Sequence, residues 1–325
     1  TGMGIDEIND GWIAYSADAF VGEKDRHCKK PLSSRRTLVA TSGTFRDHAL
    51  ATVSPDGLRI ALLDRGTLHP VLRIIVTETG TIDRTIRIKG SLRGMLHDVI
   101  DMEENNLSWS NKNSIIIAVS DSRGTSLADV HVPTGQITDQ VRLPFSMIQH
   151  PSVSRDGRSM VFSAVAASAA DIYIYDRVNG SLLRLTDDSF FDSHPSFTPD
   201  SASVVFSSNR NNDGDFGRER SGLFIIDLRS GKTSPLLNSR GSDIQAVVSP
   251  DGRHMLYVSE MSGRSALYRY NFRTGISDII TGIGGEISHP SWFPDGKRFA
   301  CISCGDHECK FVMADFTDDG AEERP

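Results

Sequence analysis

The sequence predicts an all-β fold, a single β-propeller of four-stranded antiparallel blades. Three observations carry this: a turn motif that recurs along the chain, short strands that follow each turn, and hairpin dipeptides that close each unit. Aligned on the turn, the units are INDGWIAYS at Asp10, VSPDGLRIALL at Asp56, WSNKNSIIIAVS at Lys112, VSRDGRSMVFSA at Asp156, FTPDSASVVFSS at Asp200, VSPDGRHMLYVS at Asp251 and WFPDGKRFACIS at Asp295. The intervals between those positions are 46, 56, 44, 44, 51 and 44 residues, the period of a propeller blade.

Each unit has an internal order. Ser-Pro-Asp-Gly supplies Pro where φ must be near -65° and Gly where φ must be positive, so it reads as a turn. A strand of four to six residues follows, then a polar loop and a second strand such as DIYIYD (171–176), LFIIDL (223–228) or ALYRYN (266–271). Hairpin dipeptides follow at Thr134-Gly135, Asn179-Gly180, Ser230-Gly231 and Thr274-Gly275, with Asn179 expected at positive φ. Helical periodicity is sustained nowhere. Seven turns favour seven blades, or six if N-terminal strands complete the last blade, which stops after KFVMADF (310–316) with no outer strand of its own. The domain spans 1–325, and its N- and C-terminal segments must meet, because an open ring would expose unpaired strand edges.

Composition narrows the function. The chain has 325 residues, enough to bury its own core without staples. Its 35 basic and 42 acidic side chains are interspersed and sum to -7, which gives no basic stripe for nucleic acid. No apolar run reaches the length of a membrane span, so a soluble protein is expected. The chain starts at Thr1 with no apolar leader, which reads as a processed or trimmed product. It contains no Gly-x-Ser-x-Gly, no Gly-rich phosphate loop, no His-Glu-x-x-His and no dinucleotide fingerprint. A catalytic site would have to be assembled from several blades.

Two constellations could carry chemistry. His150, His194 and His289 each lie six residues before their turn position and precede Pro, and Gln245 fills the same column in the unit between the last two. Equivalent positions on innermost strands should form an arc around one mouth of the central channel. Three imidazoles and an amide could converge there on Mn²⁺, Fe²⁺ or Zn²⁺. The plainer reading is that His before Pro is held extended and only caps its strand. The second constellation is Cys301, Cys304, His307 and Cys309 near the end of the chain, with Cys28 far upstream. Cys28, Cys304, His307 and Cys309 have the chemistry of a zinc site but match no strong spacing template. A disulfide, either Cys304 to Cys309 or Cys28 to one of them, would need an oxidising compartment. Cys301 reads as a small buried strand residue. The sequons at Asn106 and Asn179 lean the same way, and together they favour an extracytoplasmic, secreted or periplasmic, location.

The polar loop 209–222, with Asp213, Asp215 and Glu219, reads as solvated rather than calcium-binding, and Trp12, Trp109 and Trp292 read as packing between blades. The stretches HPSFTPD, SPDGRHMLYVS and YIYDRVNGSLLRLTDD resemble the repeats of TolB-type β-propellers, a group similar to WD-repeat proteins and to the propeller domains of prolyl oligopeptidase-type peptidases. The resemblance runs from Asp10 to Phe316. It implies a recognition or scaffold propeller that binds a protein, peptide or glycan partner through its channel mouth and loops. Oligogalacturonate lyases are similar in being propellers, and their family carries a metal site of three His and a Gln. That likeness implies a metal-dependent lyase or hydrolase on an acidic saccharide as the rival reading. A propeller domain of a larger peptidase-like protein is the third.

Overall fold

The computed structural model describes residues 8–9, 12–14, 29–30, 32–38, 50–64, 71–87, 107–121, 124–166, 169–210, 220–237, 241–305 and 309–316, the segments before residue 50 as backbone only. All regular structure among them is strand, and it forms six sheets. The six innermost strands are Leu50–Val53, Leu107–Asn111, Met147–Val153, Asp192–Phe197, Asp243–Val248 and Glu286–Trp292. Each contacts the next, and the last contacts the first, so the ring closes.

The blade count is therefore six, not the favoured seven. The Asp10 motif lies between two short strands, Ile8–Asn9 and Trp12–Ala14, that pair with each other on the outer edge of the last blade and contribute nothing to the axis. That blade gains its missing outer strand from Leu32–Leu38, which runs antiparallel to Cys309–Phe316. A strand from one end of the chain thus seals a sheet built by the other, which removes the open edge. Lys29–Lys30 adds a short parallel strand to the outside of the fifth blade.

Strand alternation explains why the sequences are so apolar. Successive side chains point to opposite faces of a sheet, and in a ring both faces are covered by a neighbouring blade. In Arg59–Asp64, Ile60 and Leu62 pack toward the last blade while Ala61 and Leu63 pack toward the second. Six buried apolar clusters result, one in each gap between adjacent blades.

The turn motif works as its residue types require. The Ser54 hydroxyl donates to Asp56 Oδ1 at 2.6 Å and accepts from the Arg59 amide at 2.9 Å, while Asp56 Oδ1 accepts from the Leu58 amide. The same bonds recur at Ser154 and Asp156, at Thr198 and Asp200, and at Ser249 and Asp251. Positive φ falls on Gly57, Gly157, Gly252 and Gly296, and on Ser201 where Gly is replaced. In the hairpin loop the positive-φ residue is Gly180, not Asn179. Asn179 instead accepts from the Ser181 amide through Oδ1 and donates to Asp176, pinning the loop with its side chain.

Candidate functional site

The repeated His-Pro-Ser bridges blades. Ser152 Oγ accepts from the backbone amide of Phe197 in the next blade at 3.5 Å, and Ser291 Oγ accepts from that of Val53 across the closure at 3.4 Å. Indole N–H groups do the same: Trp109 donates to Thr52 O and Trp292 to Val247 O, which makes both of them interblade ties. The Trp12 side chain lies outside the described residues.

The residue ahead of that Pro is not extended, nor is Gln245, which precedes Ala246 in the same column. His150, His194, Gln245 and His289 have φ of 51°, 51°, 57° and 53°, the left-handed region. Each sits in a bulge where two residues of the inner strand face one of its neighbour, as between Gln149 and Ser152. A non-glycine residue there costs about 1–2 kcal/mol. The sheet outweighs the bias that a following Pro imposes. Leu50–Val53 pairs without such a shift, so the feature belongs to four consecutive blades.

The bulges turn these four side chains toward the axis, where they line one cavity of about 190 Å³ together with Thr52 and Ser108. Among the described residues no charged side chain lines it. The rings of His150 and His194 lie 3.8 Å apart, centroid to centroid, inclined by 35°. Each imidazole Nδ1 is 3.0 Å from a serine hydroxyl: Ser163 for His150, Ser193 for His194 and Ser288 for His289. Gln245 Oε1 accepts from the backbone amide of His289 at 2.6 Å. The Nε2 atoms of His150 and Gln245 have no hydrogen-bond partner among the described residues. Burial, with the neighbouring imidazoles of His194 and His289, holds His150 well below 6.5. Burial, with His289, brings His194 down to about 3. Both are neutral near pH 7.

The structure thus gathers the whole histidine and glutamine column at one place. The amide oxygen of Gln245 is engaged by the His289 N–H, the His150 and His194 rings lie against each other at 35°, and no group of three His, Cys, Asp or Glu able to hold a metal forms among the described residues.

At the second constellation Cys304 and Cys309 are joined by a disulfide across paired strands, which leaves neither sulfur as a thiolate for zinc. Cys301 is buried within its strand. Cys28 and His307 lie outside the described residues, as do Asn106, Asp213, Asp215 and Glu219. Sequence reasoning missed the buried Asp192, two residues before His194. Its carboxylate is held by Arg210 at 2.8 Å, and that guanidinium also lies over Phe224. Among the described residues no helix is long and apolar enough to cross a membrane.

Six radial blades around a channel cavity lined by histidine, glutamine and serine as well as apolar side chains define the class: a β-propeller whose axis presents side chains from several blades. Residues 217–323 match the family described as TolB beta propeller domain. The Tol-Pal system protein TolB of Francisella tularensis subsp. mediasiatica is 25% identical over 171 residues, which is 52% of this chain and 38% of that protein. The chain therefore spans well under half the length of the curated relatives of this kind. The putative TolB of Agrobacterium tumefaciens superposes with a TM-score of 0.60 at 17% identity, covering 82% of this chain and 89% of that one. An oligogalacturonate lyase in complex with manganese superposes with a TM-score of 0.56 at 13% identity, covering 89% and 84%. At such identities the superpositions speak for the fold alone. The chain is a β-propeller, similar in sequence to TolB proteins over the matched segments and in fold to their solved structures.

Proposed function

We propose that this chain is a non-catalytic recognition propeller that binds a protein or peptide partner at the channel mouth. The observation that carries the reading is the cavity itself. Four consecutive blades bear the cost of left-handed backbone to aim polar side chains into it, and strain held at one place marks function more than folding. The likeness to proteins named for the Tol-Pal system supports a protein partner, and a glycan would be the alternative occupant. The Cys304 to Cys309 disulfide supports an extracytoplasmic location. That the curated relatives are longer leaves room for the chain to be the propeller of a larger protein.

The test is site-specific photocrosslinking in the source cell, with the reactive residue at Ser196 beside the cavity or at Val178 on the outer edge. One protein adduct at Ser196 and none at Val178 is expected. Adducts equal at both places, or none at the mouth, would remove the reading. The rival, a metal-dependent lyase, requires Gln245 to turn its oxygen inward, at the expense of the bond to His289, and the tilted rings of His150 and His194 to part. Stoichiometric Mn, Fe or Zn in chelator-free protein, lost in the His194→Ala, His289→Ala double variant, would establish it.

A further inference from the structure

Hydrogen placement at the cavity fixes what kind of group it accepts. Ser163 Oγ lies 3.3 Å from Gln149 O, a carbonyl that can only accept, and 3.0 Å from His150 Nδ1. Both contacts are met at once only when His150 Nδ1 carries its proton, the tautomer that leaves His150 Nε2 as a bare acceptor. Gln245 is oriented as firmly. The backbone N–H of His289 can only be met by an oxygen, so the Gln245 amide nitrogen faces the cavity as a donor. Both side chains are more than nine-tenths buried, and both of these atoms lack a partner among the described residues. A buried polar atom left unmet bears its full desolvation cost, so a ligand that meets both is rewarded. The volume, about 190 Å³, holds far more than one water.

We propose that the cavity takes an uncharged amide group, its N–H donated to His150 Nε2 and its carbonyl accepting from the Gln245 amide, from a carboxamide side chain or a main-chain amide of the partner. This rests on the recognition reading and names what that partner inserts. A carboxylate would offer no proton to His150. An ammonium group would meet the Gln245 N–H with a second donor, and among the described residues no lining carboxylate would balance its charge. Nothing covalent is involved.

The test uses the whole chain labelled with ¹⁵N at Gln and His side chains, and three probes with the same three-carbon skeleton: propionamide, propionate and propylammonium. Propionamide should bind saturably and shift the Gln245 side-chain amide and the His150 Nε2 resonance, with the other two probes at least tenfold weaker. Gln245→Glu keeps an oxygen for the His289 N–H but replaces the inward donor with an acceptor. It should lose propionamide at least tenfold and gain propylammonium. His150→Phe keeps a ring against His194, removes the acceptor, and should weaken propionamide about tenfold. Equal binding of the three probes, no binding of propionamide, or unchanged propionamide binding in Gln245→Glu would overturn the proposal. So would a manganese chloride titration that shifts the same resonances at stoichiometric metal. Loss of amide binding alone, with the Ser196 crosslink intact, overturns this assignment and spares the recognition reading. Amide binding without a crosslink does the reverse.

Discussion

Mild acid should loosen the ring through its channel histidines. An unfolded histidine takes up a proton near 6.5, whereas folded His194 resists until about 3, so the unfolded state binds the extra proton throughout that interval. Stability conferred by this group is complete above 6.5 and falls as pH drops toward 3. Each pH unit is worth about 1.4 kcal/mol, so between 6.5 and about pH 5 the loss from His194 is about 2 kcal/mol. His150, lowered further by burial between its neighbours, adds a loss of the same sign. The turn aspartates do not interfere, because Asp56, Asp156, Asp200 and Asp251 lie below 3.8 and lose their stabilising bonds only in stronger acid. Asp171, raised by burial, pulls the other way, so the measured fall understates the histidine effect. The assay is urea unfolding at pH 7 and pH 5 on the wild type and on His194→Phe. The wild type should lose about 2 kcal/mol or more, and the variant should lose about 2 kcal/mol less than the wild type. Equal wild-type stability at both pH values, or an unchanged difference in the variant, would refute the reasoning.

Three further outcomes are expected. Arg210→Ala should cost about 3–5 kcal/mol in urea unfolding, since it strands the fully buried Asp192 carboxylate, and Arg210→Lys should recover only part of that. Gly252→Ala should cost about 1–2 kcal/mol for positive φ alone, with open space around its new methyl group. Gly57→Ala should cost more, because a Cβ there lies 3.0 Å from Pro294 of the neighbouring blade. Replacing Cys304 and Cys309 together by Ser should cost roughly 2 kcal/mol in loop-closure entropy, read as a lower Tm that reductant no longer changes.

The architecture was legible because it is repeated. Six turn motifs, each with Asp or an equivalent at one position, mark six blades. The hydroxyl at Ser54, Ser154, Thr198 or Ser249 shows why that residue type recurs. The seventh motif misled because a turn sequence specifies a turn and not which strand faces the axis: Asp10 sits in a hairpin that pairs at an outer edge. Closure by Leu32–Leu38 is a long-range pairing that no local pattern encodes. The column of His150, His194, Gln245 and His289 was visible from spacing alone. Its left-handed backbone was not, since His before Pro ordinarily signals extended chain and the bulge is imposed by the neighbouring strand. The pairing of Asp192 with Arg210 joins residues 18 apart through strand register, which a linear reading does not supply.

The central claim is that residues six positions ahead of successive turns converge on one channel mouth. Nuclear Overhauser contacts between imidazole ring protons, recorded with a ¹⁵N titration of the same rings, test it most directly. With rings 3.8 Å apart, His150 and His194 should show cross-ring contacts, and both should stay neutral from pH 7 down to pH 5. Absent contacts, with both rings titrating near 6.5, would place them on separate solvent-exposed surfaces and contradict the account.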